Sequence, residues 1–83
     1  MSYDGLFFPD VHCIHTFFMQ YPIDVLFLDK DGVVLKIAGK VVPYRIVGGG
    51  DNGVAVLEMR AGAVEEKNIK VGDVIHLKEK RNG

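Results

Sequence analysis

Residues 22–37 read Pro-Ile-Asp-Val-Leu-Phe-Leu-Asp-Lys-Asp-Gly-Val-Val-Leu-Lys-Ile, and this stretch decides the fold class. Tyr21-Pro22 breaks what precedes it, because proline fixes φ and lacks an amide donor. Asp24 to Leu28 is then a strongly apolar run of strand length. Asp29-Lys30-Asp31-Gly32 makes a good hairpin loop, in which Gly32 is free to take positive φ. From Val33 to Lys40 the chain returns with readable alternation. Val33, Leu35 and Ile37 share one face, and Lys36, Ala38 and Lys40 share the other. Strand, tight turn and strand predict antiparallel β structure.

The flanking sequence continues in short runs. Gly5 to Phe8 is a brief first strand stopped by Pro9-Asp10. His12 to Met19 is rich in aromatic and β-branched residues but lacks clean alternation, which predicts a strand covered on both faces. Val41 to Val47 reads as a further strand, limited by Pro43 to an edge or a bulge. Gly48 to Gly53 reads as a flexible hairpin loop, and Val54 to Met59 as the next strand. Residues 61–68 form the one helical segment, with Glu65, Glu66 and Lys67 on a solvated side and Asn68 as its stop. In the last strand, Asp73 to Glu79, Ile75 and Leu77 face inward while Val74, His76 and Lys78 face the other way. The expectation is one mainly β domain over residues 1–83, a β-rich α+β fold with flexible ends at 1–4 and 79–83. It is a compact small barrel or a strongly bent antiparallel or mixed sheet of about six or seven short strands.

Composition narrows the class. A chain of 83 residues buries only about 60% of the surface it exposes when unfolded, so its core is thin and oligomerisation would thicken it. The hydrophobic fraction of 48% points the same way, toward self-association or a bound partner. Ten Lys plus Arg against eleven Asp plus Glu leave a net charge of −1, without the basic excess that phosphate binding requires. Nucleic acid is therefore not an expected partner. The basic residues Lys78, Lys80 and Arg81 are interrupted by Glu79 in a terminal tail. A single cysteine, Cys13, excludes an internal disulfide and fits a reducing compartment. The N-terminus has no positive region of the secretory kind, and no apolar run approaches the roughly 20 residues of a membrane helix. These features predict a cytoplasmic protein.

Three segments together resemble a known family. They are His15-Thr16-Phe17-Phe18-Met19 continuing through Pro22 to Asp29, then Asp31-Gly32-Val33-Val34 with Pro43 downstream, then Val56-Leu57-Glu58-Met59 with Ala61-Gly62 and Ile69-Lys70-Val71-Gly72-Asp73-Val74. Their order and spacing are similar to the bacterial and archaeal family called domain of unknown function 192, over residues 5–77. The resemblance implies a mostly β fold and carries no established activity. Family members usually have a further strand and helix ahead of the segment resembling Gly5-Leu6-Phe7-Phe8. A chain lacking that strand would leave its neighbour with unpaired backbone groups, so a homodimer or a partner-completed sheet is expected.

Chemistry-bearing residues are few. His12, Cys13 and His15, with His76 as a distant fourth, are the metal suspects. Strand parity puts only Cys13 and His15 on a shared face, and zinc needs three or four convergent donors. A buried cysteine and a hydrogen-bonded histidine are the simpler account, and no cofactor is called for. Asp24 opens the most apolar strand, where a lone carboxylate is costly to bury. Beside His15 it would form an acid–base pair or a structural hydrogen bond. Glu58, between Leu57 and Met59, is a second such carboxylate. A structural role, pinning register or capping backbone amides, is favoured over catalysis for both. Gly48-Gly49-Gly50 lacks the following helix and Lys-Ser/Thr of a phosphate loop. Ser2 is the only serine, and Cys13 inside an apolar strand is a poor nucleophile. The preferred reading is a non-enzymatic binding or interaction module whose groove is lined by Phe17, Phe18, Tyr21 and Tyr44. The alternative is a small metal protein or enzyme using His15, Asp24 and Cys13 or Glu58. A subunit acting only within a larger assembly is a third reading.

Overall fold

The computed structural model describes residues 5–11, 13–15, 20–42, 45–50 and 52–76. The expected features at His12, residues 16–19, Pro43, Tyr44 and residues 77–83 lie outside these, as does the side chain of His15. The described chain runs β1 (Gly5–Pro9), β2 (Cys13–His15), β3 (Ile23–Leu28), β4 (Val34–Val41), β5 (Ile46–Gly48), β6 (Ala55–Arg60) and α1 (Ala63–Glu66). Four strands form one antiparallel sheet in the order β1-β6-β3-β4, and β2 pairs with β5 in a separate two-stranded ribbon. The fold is mainly β, as expected. Among the described residues the sheets are not closed into a barrel.

Both faces of the sheet are covered at its central strands, which explains why β3 reads as a continuous apolar run. All six of its residues are buried. Leu26 and Leu28, with Leu57 and Met59 of β6, pack on Ala63, Ile69 and Ile75 from the helical side. Ile23, Val25 and Phe27, with Val56, pack on the opposite face with Ile14 of the ribbon. It is therefore β3, and not β2, that is covered on both sides. In β2, Ile14 is buried while Cys13 is exposed, because the ribbon lays one face on the sheet and turns the other to solvent. The buried Cys13 expected from sequence is corrected accordingly.

The hairpin at 29–33 forms as its residues dictate. Asp29 Oδ1 accepts the amides of Asp31 (2.8 Å) and Val33 (2.9 Å), and Gly32 takes φ of 83°. The alternation expected for the returning strand does not hold as one phase. Leu28 pairs with Val34 but Phe27 with Lys36, so the register shifts at Leu35, and it shifts again between Ile23 and Val25. These irregularities let Val34 and Ile37 both serve the helical side.

The glycine run joins the ribbon to β6 and is a crossover, since β5 and β6 do not pair. It is also anchored. Gly49 is buried, and a Cβ there would stand 2.3 Å from Cδ1 of Phe27. The helix is shorter than expected and closes as its sequence predicts. Asn68 adopts φ of 54°, its amide donates to Glu65 and the Ile69 amide to Val64, a left-handed C-terminal cap with buried Ile69 beyond it. Downstream, Val74 bridges Val33, Ile75 N–H donates to Gly32 O, and Ile75 is buried.

Candidate functional site

Among the described residues, Asp24 is the one buried charged or polar side chain, at 2% exposure. Strand parity turns its carboxylate toward α1. Oδ1 accepts the Lys40 amide at 2.8 Å; Oδ2 accepts the amides of Gly62 at 3.1 Å and Val64 at 2.9 Å. The first amides of a helix have no partner within it, and Gly62 at the N-cap has no side chain to supply one. A carboxylate from β3 does so instead, and also ties in β4. Above it, Lys40 and Glu65 form an exposed ion pair at 3.6 Å. Asp24 thus floors a shallow depression of about 260 Å³ with Ile37, Gly39 and Val64. Its two oxygens accept three backbone amides from two other elements.

His15 lies on β2, in the ribbon over the opposite face of the sheet from the Asp24 carboxylate. The sheet stands between the two. Cys13 shares that short strand, paired with Gly48, and is exposed. His76 is exposed at the far end of the described chain. Among the described residues, no three His, Cys, Asp or Glu side chains converge as a metal site.

Glu58 sits half-buried in β6, opposite Leu6 on one side and Val25 on the other. Partial burial against these apolar neighbours raises its carboxyl above the ordinary value of 4.5. With Leu6, Tyr21 and Ile23 it lines a small groove of about 190 Å³ beside β1. Of the four aromatic groove candidates, Tyr21 is the one described, and it is 62% exposed.

At the edge of the described sheet lies β1, with all five residues exposed, Leu6 at 64%, Phe7 at 42% and Phe8 at 37%. One feature escaped the sequence reading, a cleft of about 420 Å³ where Pro9-Asp10 meets the 29–32 turn, Ala55 and Ile75. Both turns were legible as turns. Their convergence was not, because it depends on β6 lying between β1 and β3.

Among the described residues, the fold and these surfaces define a small antiparallel β domain with a covered core and an apolar strand, β1, at an edge of its sheet. The chain belongs to the DUF192 family, described as an uncharacterised ACR family, whose model matches residues 3–77. Among solved structures, it is similar to a protein of unknown function from Novosphingobium aromaticivorans DSM 12444 (29% identity, TM-score 0.78, covering 88% of this chain and 56% of that one). It is also similar to a proposed transcription regulator from Sinorhizobium meliloti 1021 (27% identity, TM-score 0.78, covering 89% of this chain and 63% of that one). This chain thus spans less than two thirds of either relative. No curated protein matches it.

Proposed function

We propose that the domain is a non-enzymatic interaction module that works through the open edge of its sheet at β1, with a second copy of the chain as the partner strand. The observation that carries the reading is the edge itself. Five consecutive exposed residues, Gly-Leu-Phe-Phe-Pro, carry no charge, and they lack the lysines or inward charges that usually blunt a sheet edge. An antiparallel pairing centred on Phe7 sets Leu6 opposite Phe8 of the partner, apolar against apolar. Such a contact is smaller than the roughly 1,200–2,000 Å² of a standard stable interface, so the dimer is weak, about micromolar or looser. The three backbone amides held by the Asp24 carboxylate support a structural role for it over an acid–base one.

We place this module in a reducing, cytoplasmic setting. The single cysteine supports that, and no helix of the described chain is long and apolar enough to cross a membrane. The description of the Sinorhizobium meliloti protein as a proposed regulator would call for a basic surface. A net charge of −1 supplies no basic excess here, so duplex DNA is not proposed as a partner.

Sedimentation equilibrium across micromolar to millimolar protein tests the reading. A reversible dimer is expected, and it should be lost in Phe8→Lys. A chain that stays monomeric throughout, or a dimer indifferent to Phe8→Lys and Leu6→Lys alike, overturns it.

A further inference from the structure

The cleft beside the hairpin borders β1 through Phe7 and Pro9 and extends away from it to the 29–32 turn and Ile75. Its volume of about 420 Å³ lies within the range of roughly 300–1,000 Å³ typical of small-molecule sites. Its floor and walls are apolar: Phe7, Pro9, Leu28, Val54, Ala55 and Ile75. Its rim is charged, with Asp10, Asp29 and Asp31 against Lys30 alone, so the mouth is net negative. The walls are fixed by backbone bonds. Val11 N–H donates to Val54 O at 3.1 Å, Val54 N–H to Leu28 O at 2.9 Å, and Ile75 N–H to Gly32 O at 2.9 Å. Asp29 Oδ1 is committed to the turn, while no such turn bond is made by the carboxylates of Asp10 and Asp31, the two rim acids whose removal leaves the turn intact.

We propose that this cleft binds a small organic cation, an ammonium or guanidinium group carried on an apolar and preferably aromatic body. The pairing of surfaces selects that class. A hydrocarbon or ring gains by leaving water for the floor, where Phe7 offers a partly exposed ring. The cationic head then lies at the rim between Asp10 and Asp31. An anion of the same shape meets like charge at the mouth. A bare metal ion gains nothing from the apolar side chains, and the described acidic residues do not converge as a metal site.

Amide NMR titration with 2-phenylethylamine tests this, with phenylacetate as the same body bearing the opposite charge. Saturable shifts are expected from the amine at Phe7, Asp10, Asp31, Ala55 and Ile75, and none from phenylacetate. Asp10→Asn with Asp31→Asn should weaken the amine by about five- to tenfold, the sum of two solvent-exposed charge contacts. Asparagine tolerates the φ of 59° at Asp10, and Asp31 serves the turn through its backbone amide, so the variant is expected to fold. Its amide spectrum verifies that before titration. Equal binding of phenylacetate, shifts that map elsewhere, or no saturation at millimolar amine would each overturn the proposal. So would undiminished amine binding in the folded double variant.

Discussion

At the scale of single residues, Asp24 joins three elements that are distant in sequence. Its carboxylate holds the first amides of α1 and one amide of β4, and no other described side chain takes these bonds. Asp24→Ala would leave those donors without an acceptor in a largely desolvated site, at a cost of about 3 kcal/mol or more. Asp24→Asn keeps one acceptor oxygen and turns an amide donor toward other donors, at about 1–3 kcal/mol. Urea midpoints for both variants check this order. A catalytic Asp24 would instead leave the fold nearly intact. Glu58 makes a second, pH-dependent case. Its carboxyl is raised in the folded state by burial, so the folded state holds the proton longer than the unfolded chain does. The stability linked to it is therefore complete below the ordinary value of 4.5 and is lost as pH rises through the higher folded value. Glu58→Gln should be more stable than the parent at neutral pH, and the advantage should vanish in acid below 4.5. Denaturant midpoints across that range measure it. Glu66 runs the other way, since its hydrogen bond and charge pairing with Arg60 lower its carboxyl. Because both chains keep Glu66, comparing variant with parent at each pH removes its contribution.

At the scale of elements, the crossover that carries three glycines is fixed by one ring. Phe27 has no exposure, so its ring cannot swing aside for a Cβ built 2.3 Å from Cδ1 at Gly49. Gly49→Ala should cost about 1–3 kcal/mol by overpacking. Combined with Phe27→Leu, the loss should be less than the sum of the two single losses. Simple additivity in thermal or urea unfolding would mean that the ring is not what confines Gly49. The sequence shows why this loop was read as mobile: glycines announce freedom, while the ring that removes it lies more than twenty residues earlier. Elements governed by local chemistry were legible. The 29–32 turn follows from Asp29 and Gly32, and the helix stop follows from Asn68. The bulges in β4 were not legible, because Val33, Leu35 and Ile37 alternate cleanly in sequence and only pairing with β3 reveals the shift. The exposure of Cys13 was hidden for the same reason, as it depends on β2 pairing with β5 in a ribbon that lays only one face on the sheet.

At the scale of the molecule, one asymmetry governs both stability and function. The strands β3 and β6 lie inside the sheet, each paired on two sides and packed on two faces, while β1 lies at the edge with every residue exposed. That β3 would be central was readable from its unbroken apolar run. The edge position of β1 was not readable from its own residues, since Gly-Leu-Phe-Phe looks as apolar as any core segment. An apolar strand left on an edge contributes little to the monomer and much to any assembly that covers it. Amide hydrogen exchange should follow this gradient. In dilute protein, the slowest amides should fall in β3 and β6 and open only with global unfolding, whereas β1 should exchange through local opening well before them. Raising the protein concentration into the range where the edge pairs should slow β1 selectively and leave β3 unchanged. Uniform protection across β1, β3 and β6 in dilute protein would mean that the edge strand is as firmly held as the core, and the case for an open edge would fail at its physical root.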